Sequence, residues 1–137
     1  MRSEQNESKG LRKVLLVEDN TLTKKILEHI LKKEGYQYRI ANDGNEGIAA
    51  IAEFNPDIII TDIMLPVKNG LEVVVYAKRN FTHIPIIVLS ALGEEEGAVT
   101  RAFNLGADDF VPKPFNPGEL VLRIKRLLAK INNTTNS

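Results

Sequence analysis

The chain has 137 residues, no cysteine, and 18 lysine plus arginine balanced by 18 aspartate plus glutamate. That balance offers no basic excess for direct nucleic-acid binding by this segment, and the absence of cysteine excludes disulfides and thiolate metal sites. No apolar stretch approaches the roughly 20 residues of a membrane-spanning helix, so one soluble domain in a reducing cytoplasm is expected.

Residues 1–10 are polar and aperiodic and read as a disordered N-terminal tail before a domain spanning 11–131. VLLV at 14–17 is an unbroken apolar run, the pattern of a parallel strand covered on both faces. Leu22, Ile26, Leu27, Ile30 and Leu31 then form a helical stripe closed by Gly35. YQYRI at 36–40 alternates polar and apolar residues, as an edge strand does. A short alanine-rich helix is predicted near 47–54, and III at 58–60 is a second covered strand. Val73, Val74 and Val75 would favour a strand. A helix is nevertheless predicted over 71–79, because a strand there would break the alternation of elements.

IIVL at 86–89 is the third covered strand. The helix predicted over 94–105 is the weakest, since Gly97, Val99, Thr100 and Asn104 all lower its propensity. Glu94, Glu95 and Glu96 place favourable charge at its start. FVP at 110–112 contains a proline that suits only an edge strand. The last helix starts with Asn116 as cap, Pro117 at the first helical position and Glu119 completing an approximate capping box. Its stripe is Leu120, Ile124, Leu127, Leu128 and Ile131, after which 132–137 read as a disordered tail or the start of a linker.

Five βα units with right-handed connections leave few compact solutions. With strands two and five at the edges, the expected fold is α/β: a doubly wound, five-stranded parallel sheet of order 2-1-3-4-5, flavodoxin-like. In such sheets ligands bind beyond the carboxyl ends of the strands, at the point between strands one and three. The residues there are polar: Glu18 and Asp19 after strand one, Asp62 after strand three, Ser90 after strand four and Lys113 after strand five. Three packed carboxylates repel by about 4 kcal/mol per pair at ~4 Å and an effective dielectric near 20, so they take up a proton or bind a cation. Magnesium, a hard cation that prefers oxygen ligands, meets that demand.

VEDN at 17–20, TDIMLP with NG at 61–70, LSA at 89–91, and GADDF with KPF at 106–115 resemble the receiver domains of response regulators, in order and over nearly the whole chain. The resemblance implies that Asp62 is the phosphoacceptor, served by a sensor histidine kinase or a histidine phosphotransfer protein. It implies Mg2+ held by Asp19 and Asp62 directly, Glu18 through water, and the main-chain carbonyl of Met64. Lys113 would pair with the phosphoryl oxygens, its bond to Pro114 usually being cis. Ser90 would report phosphorylation to the switch aromatic Phe110, which, lacking the hydroxyl of the commoner tyrosine, is expected to favour its inward rotamer. Asp108, Asp109 and Arg123 resemble the face through which some receivers dimerise, formed by helix four, strand five and helix five. The chemistry implied is confined to the domain's own phosphorylation and dephosphorylation, without turnover of a separate substrate.

Two apolar positions, Met64 and Leu92, flank the expected path of hydrolytic water and predict a long-lived phosphoryl group. Among rival readings, an aspartate-nucleophile phosphatase of the haloacid dehalogenase type needs a second aspartate where Met64 stands. A nucleotide- or flavin-binding module needs a glycine- or hydroxyl-rich loop where Glu18 and Asp19 would repel phosphate. A receiver-like interaction domain that has lost phosphorylation remains the third alternative. His29 and His83 have no partner at metal-ligand spacing.

Overall fold

The computed structural model describes residues 11–91 and 97–136. Its strands are β1 (Lys13–Val17), β2 (Gln37–Ala41), β3 (Ile58–Asp62), β4 (Ile86–Ala91) and β5 (Asp109–Lys113). All pair in parallel, in the order β2-β1-β3-β4-β5. The helices are α1 (Thr21–Lys33), α2 (Gly44–Phe54), α3 (Gly70–Asn80), α4 (Ala98–Leu105) and α5 (Pro117–Asn136).

The unbroken apolar runs follow from cover on both faces. Successive side chains of a strand point to opposite sides. Val14, Leu16, Ile58, Ile60, Ile87 and Leu89 therefore meet α1 and α5, while Leu15, Val17, Ile59, Ile86 and Val88 meet α2, α3 and α4. The edge strands differ as expected: β2 alternates exposed and half-buried positions before the buried Ala41, and Pro112 sits in β5, which pairs with β4 at the margin of the sheet. Among the described residues no helix is long and apolar enough to cross a membrane.

Helix boundaries depart from the periodic stripes where caps decide them. Helix α2 starts at Gly44, three residues before the predicted 47, because the Asp43 side chain accepts from the Glu46 amide at 2.8 Å. Helix α3 overrides its valine run through a full capping box. Asn69 accepts from the Glu72 amide at 3.2 Å, and Glu72 accepts from the Asn69 amide at 3.3 Å. At α5 the Asn116 cap forms, accepting from the Glu119 amide at 3.0 Å, but a Glu119 oxygen accepts from Arg123 at 2.9 Å.

The helix predicted over 94–105 is described only from Ala98, after Gly97 at φ 91°; Leu92 and Glu94 to Glu96 lie outside the described residues. Where 132–137 reads as a disordered tail or the start of a linker, the last helix runs on to Asn136. Once nucleated, a helix gains a backbone hydrogen bond per residue and needs no apolar stripe to continue. The tail expected over 1–10 is outside the described residues. In α1 the stripe is narrower than its sequence pattern: Leu27, Ile30 and Leu31 are buried, whereas Leu22 and Ile26 face outward.

Candidate functional site

Strand register brings the charged residues together at one edge. Val17 is level with Thr61, so Glu18 follows β1 at the level of Asp62. Asp62 is level with Leu89, and Leu89 with Val111, which puts Ser90 one step and Lys113 two steps further along their strands. A parallel sheet makes this possible because all its strands end on the same side.

At that edge Asp62 is 4% exposed and Glu18 fully buried, while Asp19 is exposed. The Lys113 ammonium lies 2.6 Å from Asp62 Oδ1 and 3.1 Å from Glu18 Oε1. The 2.6 Å contact is charge against charge without good hydrogen-bond angles, so Asp62 Oδ1 keeps unused acceptor capacity. Glu18 uses its other oxygen to accept from the Asn20 amide at 3.0 Å. The Asn20 side chain in turn caps α1 by accepting from the Thr23 amide at 2.9 Å. Both Glu18 oxygens are thus engaged, and Asp19 and Asp62 are the carboxylates open to a direct ligand. The Lys113–Pro114 peptide bond is cis.

Burial first, and then the neighbouring Glu18, push the Asp62 carboxyl up to about 8, with Lys113 only partly offsetting them. For Lys113, burial alone would lower its pKa, but its contacts with Asp62 and Glu18 outweigh this and the ammonium is held above its ordinary value. Glu18, Asp19 and Asp62 each offer an oxygen, all within 4.8 Å of one another. At that spacing each ionised pair repels by about 3–4 kcal/mol at an effective dielectric of 20. A single ammonium cannot neutralise three carboxylates. A buried aspartate whose ionised form is disfavoured by burial and by Glu18, with an oxygen that accepts no hydrogen bond, fits a hard divalent cation, which would hold it ionised. Met64 follows on the loop after β3 with its side chain 54% exposed.

The remaining predicted residues divide. Ser90 is half-buried at the end of β4. Phe110 is also half-buried, packed against the core on the α2–α3–α4 side and edge-on to Phe103 of α4 at 6.2 Å between ring centres. Asp109 and Arg123 meet within one chain, Arg123 Nη1 lying 2.8 Å from both Asp109 oxygens. Asp108 does not join them. It lies beside Lys78 of α3 at 3.2 Å and accepts from the Ile86 amide at 2.8 Å. Adjacent residues of an extended chain point to opposite faces, which separates Asp108 from the Asp109–Arg123 pair. Asp108→Ala leaves the part-buried Ile86 amide without its acceptor and is expected to cost about 1–3 kcal/mol in urea unfolding.

A charged crevice at the carboxyl edge of a doubly wound 2-1-3-4-5 sheet, with an aspartate after β3 and a lysine after β5, defines a receiver-type α/β domain. The chain belongs to the response regulator receiver domain family, whose pattern matches residues 14–125. Its backbone is similar to that of a CheY-like response regulator receiver domain protein from Methanospirillum hungatei JF-1, with 29% identity and a TM-score of 0.85 over 90% of this chain and 98% of that one. It is also similar to the signal receiver domain of a signal transduction histidine kinase from Syntrophus aciditrophicus, with 33% identity and a TM-score of 0.79 over 87% of this chain and 91% of that one. NtrX from Brucella abortus matches 92% of this chain at 30% identity and a TM-score of 0.83, over 28% of its own length.

Proposed function

We propose that this domain accepts a phosphoryl group on Asp62 from a histidine kinase or histidine phosphotransfer protein in the cytoplasm, and changes conformation to regulate a partner or output domain. The observation that carries the reading is the buried Asp62 carboxylate, 2.6 Å from the Lys113 ammonium and clustered with Glu18 and Asp19. An Asp62 oxygen forms a bond to phosphorus as the phosphorus–nitrogen bond of a phosphohistidine breaks, and the bonding pair returns to the imidazole nitrogen. Lys113 holds positive charge beside the acceptor and would pair with the incoming phosphoryl oxygens. Asp19, Asp62 and the Met64 carbonyl would hold Mg2+, with Glu18 acting through water. The bound ion would reduce repulsion between an anionic nucleophile and an anionic phosphoryl group. The Ser90 hydroxyl would contact the phosphoryl group only after transfer, a difference in contacts that biases a two-state equilibrium. The chemistry is confined to the domain's own acyl phosphate.

Incubation with Mg2+ and acetyl phosphate, or with a phosphorylated histidine kinase, followed by intact mass measurement, tests this. A gain of one phosphoryl group is expected, and none for Asp62→Asn. No gain in the parent chain would favour a receiver-like interaction domain. Light scattering on the same protein with beryllofluoride examines dimerisation through α4, β5 and α5, in which Arg123 would exchange its own Asp109 for that of a second copy. An unchanged monomer argues against it.

A further inference from the structure

Gly44 opens α2 on the far side of β1 from the acceptor strand, yet its Cα lies against the loop that leaves β3. A Cβ built on Gly44 would sit 1.8 Å from the Lys68 carbonyl oxygen and 2.5 Å from its carbon. Both contacts are with backbone, so no side-chain rotation could relieve them. The rest of that loop is fixed as well. The Gly70 amide donates to the Ile63 carbonyl at 2.7 Å, Ile63 is 1% exposed, and Leu65 packs against the core. Between these anchors Val67 stands at φ 69°, a left-handed conformation that a β-branched residue adopts only under constraint, and its side chain is 76% exposed. No burial of its own side chain accounts for that backbone. The seat of Lys68 on Gly44 does, because it sets where the chain must arrive one residue later.

We infer that Gly44 is a positioning residue for the metal site: by admitting the Lys68 carbonyl it seats the β3–α3 loop, holding the Met64 carbonyl in place at the strained expense of Val67. The inference rests on the magnesium reading above. It describes two loop arrangements, a seated one selected by the metal and by the Gly44 contact, and an unseated one in which Val67 relaxes to negative φ. Anything that favours the seated loop before metal arrives tightens binding, and anything that blocks it weakens binding. Glycine adopts positive φ without the penalty valine carries, so Val67→Gly favours the seated loop. Gly44→Ala blocks it.

Calorimetric titration of the full chain with MgCl2, without any phosphodonor, reads this directly. The parent is expected to bind, and Asp19→Asn to lose most of that binding. Gly44→Ala is expected to weaken the magnesium Kd by about tenfold, and Val67→Gly to tighten it by about threefold or more. Opposite signs from two residues that are not ligands are what a purely structural role would not produce. A lowered melting temperature for Gly44→Ala with an unchanged Kd would overturn the inference, as would shifts of the same sign in both variants. Should Gly44→Ala fail to fold, Val67→Gly decides alone, and an unchanged Kd overturns the inference. If the parent binds no magnesium, the metal reading fails and this inference falls with it. If the parent binds but neither variant shifts, only this inference falls.

Discussion

Asp62→Asn is expected to be more stable than the parent chain by about 2–4 kcal/mol at pH 8 in chelator, and indistinguishable from it near pH 4. The cause is the cost of ionising a buried carboxyl beside Glu18, which lifts Asp62 to about 8 despite Lys113. In the unfolded chain the same group ionises near its ordinary value of about 3.9. Its folded pKa is therefore the raised one. The folded state keeps a proton that the unfolded state has already released, so the favourable contribution is fully present below about pH 4. It is lost as pH rises toward 8, by up to about 1.4 kcal/mol per unit, and levels off above that. Asparagine is nearly the same shape and cannot ionise, so it removes the slope. With no tryptophan in the chain, thermal unfolding is best followed by circular dichroism. The expected gain at pH 8 is roughly 5–15 °C for a domain of this size.

Magnesium should narrow that difference and, at a high enough multiple of its Kd, cancel it. A ligand bound only by the folded state adds about 2.7 kcal/mol at a hundred times its Kd, and the parent has the carboxylate that Asp62→Asn lacks. Equal melting temperatures at pH 8 in chelator would show that the three carboxylates do not strain the metal-free fold.

What could be read from the sequence was what strand physics writes into it. The covered strands announce themselves as apolar runs, and a charged residue directly after such a run is conspicuous, so Glu18, Asp62 and Lys113 were legible together. Edge strands were legible for a related reason, since Pro112 and the alternating Gln37–Ala41 segment suit only a sheet margin. Helix starts were less so, because a single side-chain hydrogen bond sets them. The Asn69 and Glu72 pair at capping-box spacing was readable and would have secured α3 without appeal to alternation. Contacts between elements distant in sequence left no pattern. Nothing in the local sequence pairs Phe103 with Phe110, turns Asp108 toward Lys78 or requires Val67 at positive φ. Gly44 reads as a poor helix former until the Lys68 carbonyl is seen against it.

The phosphorylated state of the parent is expected to outlast that of a Met64→Asn, Leu92→Glu double variant by about tenfold or more. Hydrolysis of an acyl phosphate on Asp62 needs a water aligned opposite the bond that breaks, and Lys113 cannot activate it, because an ammonium has no lone pair to take a proton and this one is turned toward Asp62 and Glu18. Orientation must come from side chains at the mouth of the crevice. Met64, two residues past Asp62, is more than half exposed. Its thioether is a weak acceptor that cannot hold a water in one orientation. Leu92, two residues past Ser90 in sequence and outside the described residues, has a side chain without polar atoms. An amide at 64 can both donate and accept, and a carboxylate at 92 can accept a proton from the attacking water, the positioned acid–base assistance that apolar residues withhold. The measurement is the decay of the phosphorylated mass after the phosphodonor is removed with Mg2+ kept constant. Equal decay rates for parent and double variant would place the control of lifetime elsewhere. Faster decay in the double variant, with an unchanged rate of phosphorylation, would place it at these two side chains, since the forward transfer brings no water to the reacting phosphorus.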